Sequence, residues 1–314
     1  MKMTENYLSK VCDKLSISSE AKECFVSAEI NLKKNQEIFD KFLENVELFG
    51  NDMKACLRDR IPEIDHIAEK TGIHKFTLHF IFVVYCSFYT KQMYSEKGLA
   101  ESLFWDGMMD LSYKLKECVE VFGVYGTFAL DWYEGFLHCG RFTLGRFQYE
   151  PCGLYEGEDK KLECGYILKK NTRFISFHIP SSGESLTDEV RNSSYEKAYY
   201  YFKDWVGSDT VLLDCHSWLL FPDNRKILPP SSNVLKFLDD FEIYKENYEQ
   251  QFSDAWRVFG KSYSLPVENW PEETSMQRGY KKWILEGNST GHGNGFIVLK
   301  DGKNVTHIKD FYKD

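Results

Sequence analysis

Apolar residues recur at spacings of three and four through the first 125 residues, in SSEAKECFVSAEINL, NQEIFDKFLENVELF, DMKACLRDRIPEIDHIAEKTGI and GLAESLFWDGMMDLSYKLKECVEVFG. That spacing predicts helices, with Ser18 and Ser19 as start signals and Pro62 and Gly72 as punctuation. One run, FTLHFIFVVYCSFY at 76–89, is apolar on every face but shorter than the roughly 20 residues a spanning helix needs. It predicts a helix buried in a protein core.

From about residue 126 the pattern shortens into β-rich runs at 141–150, 164–170, 173–180, 210–221, 255–260 and 295–300. Helical patterns separate several of them. NSSYEKAYYYFKDWV (192–206) opens on cap-forming Asn and Ser, SSNVLKFLDDFEIYKENYEQ (231–250) follows a Pro-Pro stop, and SMQRGYKKWILEG (275–287) ends at Gly287. The runs 173–180 and 210–217 flank a helix, which is the order of a parallel crossover, while the earlier runs fit an antiparallel meander. The expected fold class is therefore α+β / α/β, with an all-helical N-terminal domain over 1–125 and a mixed sheet flanked by helices over 126–314. Ligands in such sheets favour the crevice beyond the C-terminal ends of a parallel pair, here the surroundings of Ile179 and Trp218.

Composition narrows the class further. With 43% hydrophobic and 28% charged residues over 314 positions the chain is an ordinary globular protein. A formal charge of −9 argues against nucleic acid as a partner, since that binding needs basic patches to neutralise phosphates. Nine scattered cysteines without CxxC spacing read as reduced thiols, and the N-terminus lacks the apolar core of a signal peptide, so a cytoplasmic location is expected with no membrane partner.

Candidate chemistry gathers near the ends of the parallel pair. In DCHSWLL (214–220), strand alternation puts Asp214, His216 and Trp218 on one face and Cys215 on the other. His216 can act as a general base, and His178 in FHIP lies at a similar height on the neighbouring strand. Each can equally be a strand histidine satisfied by a backbone carbonyl. Cys215 cannot pair with the adjacent His216, which points to the opposite face, so it is expected in the core; the alternative is a nucleophile with a separate partner such as His178. Arg146, Gln148 and Glu150 alternate along LGRFQYE, where Arg146 and Gln148 can recognise a polar acceptor together with Trp218, and Glu150 is an alternative base. No metal is expected, because neither HExxH nor CxxC is present. GNSTGHGNGF (287–296), with four glycines around His292, predicts a mobile loop or tight turn, and its GxGxG lacks the preceding strand of a dinucleotide fingerprint.

The residues LGRFQYE, FHIPSSGESLTDEVRNSSYEKAYYYF, DCHSWLLFP and ILPPSSNVLKFLDDFEI, spanning about 144–243, resemble the bacterial GNAT-like acyltransferases that carry a helical N-terminal N-acyltransferase domain. The resemblance implies a GNAT-like mixed sheet. It also implies a splayed strand 173–180, an acyl-CoA wedged beside it, pyrophosphate at the following helix start, and direct attack of an amine on the thioester. Acetyl-CoA or another acyl-CoA is then the co-substrate. Ile179, Ser181, Ser182, Gly183, Arg191, Ser217 and Asn233 are expected to hold it, and a small-molecule amine or peptide is the acceptor. The segment SSGESLTDEVRNSS departs from the family's Q/R-x-x-G-x-G/A cradle, with one glycine and the acidic Glu184, Asp188 and Glu189. The helix position where a thiolate-protonating Tyr is usual falls on Asp240 or Phe241, with Tyr244 one turn late. An alternative is a non-catalytic ligand-binding or assembly protein that keeps the fold; a homo-oligomer is compatible with either.

Overall fold

The computed structural model describes residues 6–51 and 55–312. They form two compact units, one extending to Phe142 and one starting at Thr143.

The first unit is helical among its described residues: α1 (Tyr7–Lys14), α2 (Ser19–Lys33), α3 (Gln36–Asn51), α4 (Ile61–Thr71), α5 (Lys75–Glu96), α6 (Glu101–Phe122) and the single turn α7 (Glu134–Leu137). Ser18 caps α2 by accepting the amide of Ala21, and α4 begins at the Pro62 signal. The apolar run at 76–89 lies in α5, where every residue from Leu78 to Phe88 is buried. Phe25 stacks on Phe80 at 3.9 Å, and Phe42 meets Phe82 and Tyr85 edge-on. Such aromatic packing draws α2 and α3 onto the central helix.

The second unit contains β1 (Phe142–Leu144, which starts at the boundary), β2 (Phe147–Leu154), β3 (Lys160–Lys161), β4 (Ile167–Leu168), β5 (Arg173–His178), α8 (Asp188–Val206) and β6 (Thr210–Ser217). There follow α9 (Asn224–Ile227), α10 (Asn233–Leu238), β7 (Glu242–Glu249), α11 (Ala255–Phe259), α12 (Ser275–Leu285), β8 (Thr290–Lys300) and β9 (Lys303–Asn304). The main sheet runs β1-β2-β5-β6-β8-β7, with β9 also on β8; β3 and β4 form a separate ribbon. β5 and β6 are parallel, and β2-β5, β6-β8 and β7-β8 are antiparallel, so the sheet is mixed as expected.

Register sorts the sheet into two chemically distinct faces. Tyr149 pairs with Phe177 and Ile175 with Leu213, placing these buried side chains on one face together with Phe147 and Cys215. This face packs on α8 and α10, through Tyr195, Phe237 and the adjoining Phe241 against Phe147 and Phe177. The opposite face carries Gln148, Glu150, Ser176, His178, Asp214, His216 and Asn294, all connected by the same register.

Three sequence expectations are corrected. The segment 231–250 is not one helix: α10 ends at Leu238 and β7 follows, so Tyr244 sits on a strand. The segment 255–260 is helical rather than extended, since Ala255–Phe259 forms one turn bounded by Asp254 and Gly260. The glycine-rich 287–296 is not a loop, because β8 begins at Thr290. Its alternate Gly291, Gly293 and Gly295 all face the side away from His292; a Cβ there would strike the Asn247 or Leu220 carbonyl oxygens, or Phe241. Glycine is required for close approach, and the strand forms around it.

Candidate functional site

The parallel pairing of β5 with β6 covers Ile175 with Leu213 and Ser176 with Asp214. Beyond that point the strands take different partners. Phe177 and His178 remain paired with Tyr149 and Gln148 on β2, while Cys215, His216 and Ser217 pair with Gly295, Asn294 and Gly293 on β8. The facing edges past Ser176 and Asp214 carry no ladder pairing among the described residues, which makes a fork in the sheet.

The chain leaves β5 through Ile179 and the buried Pro180 into the 181–187 loop. Ser181 and Gly183 are exposed and Ser182 half-buried. Gly183 has φ +79°, with open space where a side chain would lie. Ser182 accepts the Glu184 amide at 3.3 Å, and Thr187 caps α8 by accepting the Val190 amide. The remaining amides of the first turn and the positive end of the 19-residue helix α8 face the loop.

Several residues expected to touch ligands bond to this loop or to the elements beside it. Arg146 is buried and donates to the carbonyl oxygens of Pro180 (2.8 Å) and Glu184 (3.1 Å). Arg191, expected at a pyrophosphate, is also buried; it grips Asp240 through Nε (2.6 Å) and Nη2 (3.3 Å) and donates to the Leu186 carbonyl. It also lies 3.1 Å from Asp188, the first residue of α8. Asn233 donates to Ser185 at 2.8 Å, tying the start of α10 to the loop. Ser217 accepts the Leu219 amide and ends β6, and the Trp218 ring packs edge-on against Phe252 and Tyr280. Gln148 is buried beside its pairing partner His178.

On the polar face His178 Nε2 lies 3.5 Å from Glu150 Oε2, so these two expected bases are brought together. His216 is two residues past the fork on β6 and exposed. Partial burial, and next to it the charge of His292, lower its pKa below the ordinary histidine value. Its ring stacks on His292, centroids 5.0 Å apart and 25° between planes. His292 in turn meets Asp254 Oδ2 through Nε2 at 2.8 Å and Glu249 Oε1 through Nδ1 at 2.9 Å. The Asp254 contact foremost raises the His292 pKa.

At the fork, Asp214 is raised to about 6 by burial, partly offset by the hydrogen bond that Tyr244 donates to it at 2.9 Å. Sequence reasoning placed Tyr244 on a helix and His292 in a loop, so neither was assigned to this face. The signal that could have found them is the alternation of Gly with His and Asn along GHGNG, which puts His292 and Asn294 on one side of an extended segment.

Residues 6–139 match the N-acyltransferase N-terminal domain, and residues 142–297 match the GNAT-like C-terminal domain. The chain belongs to the GNAT-like N-acyltransferase family. An acyltransferase solved as a tryptophan-to-alanine variant in complex with octanoyl-CoA has the same fold, with a TM-score of 0.75 at 16% identity over 95% of this chain and 89% of its own. Another, in complex with decanoyl-CoA and teicoplanin, gives 0.74 at 17% identity over 95% and 89%. Among curated proteins no match was found. The fork opens between β5 and β6, and the 181–187 loop leads from its β5 side into α8. No cluster of three or more His, Cys, Asp or Glu able to hold a metal occurs among the described residues, and no helix among them is long and apolar enough to cross a membrane.

Proposed function

We propose that this N-acyltransferase transfers an acyl group from an acyl-CoA to an amine by direct attack, with His216 as the general base. The observation that carries the reading is the parting of β5 and β6 immediately after Ser176 and Asp214, with His216 two residues beyond on the polar face. A thioester lying in the fork would have the α8 amides on one side for its pyrophosphate and titratable side chains on the other. The solved relatives support the ligand class: they are complexes with octanoyl-CoA, with decanoyl-CoA and teicoplanin, and with CoA and 10C-teicoplanin.

The chemistry needs little from the protein beyond position and one proton acceptor. The acceptor's ammonium gives a proton to the neutral imidazole of His216, and the freed amine attacks the thioester carbonyl carbon. A C–N bond forms, the C–S bond breaks and CoA leaves as a thiolate. A thiol with a pKa of about 8.5 is a good enough leaving group to depart without a strong acid. His178, with Glu150 at 3.5 Å, is the second candidate base. Ile179, Ser181, Ser182 and Gly183 line the acyl-CoA side, and Trp218 and Gln148 flank the acceptor side. Arg146, Arg191, Asn233 and Ser217 act behind them by holding the loop and the end of β6. All nine cysteines are unpaired thiols, which suits a reducing, cytoplasmic compartment.

His216→Ala tests the reading. The expected result is a loss of roughly 10²-fold or more in kcat/KM for transfer from acyl-CoA to a primary amine, with acyl-CoA affinity retained. An unchanged rate would pass the role to His178 and Glu150, and inactive protein that still binds acyl-CoA before any substitution would favour a ligand-binding protein that kept the fold.

A further inference from the structure

We propose that His292, clasped as an imidazolium between Glu249 and Asp254, is the positioning residue that stacks on His216 and holds it in the neutral, proton-accepting form. The catalytic half of this inference rests on the acyl-transfer reading above; the coupling between the two histidines does not.

The protonation state of His292 follows from its hydrogen-bond partners. A neutral imidazole has one N–H donor and one bare nitrogen, whereas an ionised carboxylate only accepts. Both ring nitrogens of His292 face carboxylate oxygens, at 2.8 and 2.9 Å. Only the doubly protonated ring donates to both. The clasp comes from three separate elements: Glu249 ends β7, Asp254 precedes α11 and His292 is on β8. Asp254 is itself anchored by Arg257 Nε at 2.7 Å, so the acceptor on that side is fixed. Although burial alone would raise it, the hydrogen bonds from His292 and Arg257 keep the Asp254 carboxyl below its ordinary value, and it stays an anion.

The β6-β8 register brings the clasped ring to His216. Asn294 is the direct ladder partner of His216, so His292 is its diagonal neighbour on the same face. Two imidazolium rings with centroids 5.0 Å apart repel, and the one without carboxylate partners releases its proton first. The charged groups that act on His216 are His292 and Lys245, which disfavour its protonation, and Asp254 and Glu249, which favour it. Both carboxylates are in direct contact with the His292 ring. A base made neutral in this way can accept a proton from an ammonium substrate at neutral pH, and the stack fixes its ring plane.

The test uses the full chain with histidine-selective 15N labelling, followed by long-range 1H–15N spectra from about pH 5 to 9. In the wild type, His292 is expected to stay doubly protonated above the ordinary value of about 6.5, and His216 to titrate below it. His292→Gln removes the charge, and the His216 midpoint should rise by about half a pH unit, the order expected for two charges this close in a watery setting. The acid limb of kcat/KM for acyl transfer should rise with it, and His292→Lys, which restores a cation, should bring it back down. A wild-type His292 that titrates at or below 6.5 overturns the proposal without any variant, so a misfolded His292→Gln does not shield it. An unmoved His216 midpoint in His292→Gln overturns the coupling. Full transfer activity in His216→Ala overturns the base assignment and the catalytic role of the pair, while leaving the measured coupling intact.

Discussion

Tyr244 donates its hydroxyl to the Asp214 carboxylate across 2.9 Å, from the bulged start of β7 to the point on β6 where the sheet forks. Burial raises this carboxyl and the bond stabilises its charged form, leaving it at about 6. Tyr244→Phe removes that donor and should move the Asp214 midpoint above 6, readable in the carboxyl 13C shift. A midpoint that stays put or falls would contradict the assignment of Tyr244 as its charge-stabilising partner.

The two elements that carry Tyr244 and His292 show where the sequence was hard to read. β7 and β8 pair with each other, and the sequence pattern reads β7 as the end of a helix and the first half of β8 as a loop, with only 295–300 extended. EIYKENYE has helix-forming charged residues and no clean alternation, and the glycines of GHGNG are depleted in strands generally. β8 is held between β6 and β7, and β7 pairs along β8, pairings that local propensity does not reveal. The parallel pair was legible: the runs at 173–180 and 210–217 and the helix between them were visible in the spacing, as were His178 and His216 at a similar height, whereas the parting of the strands was implied only by the family resemblance. Arg146 and Arg191 were recognisable as cations but not as buried ones, because their partners, the Pro180 carbonyl and Asp240, are 34 and 49 residues away in sequence.

Arg191 illustrates the energetic side of that difference. It is buried and bonded to Asp240, which also accepts the Tyr195 hydroxyl at 2.8 Å. Arg191→Ala strands a largely buried carboxylate and should cost about 3 kcal/mol or more of unfolding free energy. Urea unfolding measures this. A loss below about 1 kcal/mol would mean that Arg191 is not a structural clamp.

The His292 clasp also predicts how stability depends on pH. A histidine whose native pKa is raised binds its proton more tightly when folded. Its contribution is therefore complete below the unfolded value of about 6.5 and disappears as the pH rises through the higher native value. The Tm difference between wild type and His292→Gln should be larger at about pH 5.5 than at about pH 9. A difference that grows with pH would have the wrong sign for a clasped cation.

An acyl-CoA bound in the fork would rest its phosphates on the 181–187 loop. Calorimetric titration with acetyl-CoA, a longer acyl-CoA and free CoA tests it most directly, on the wild type and on Gly183→Asp. That substitution adds a carboxylate at an exposed position and forces φ +79° on a residue with a side chain. The expected result is micromolar binding by the wild type that weakens at least about tenfold in Gly183→Asp. No binding of any CoA species up to about millimolar concentration, or equal binding by both proteins, would contradict it.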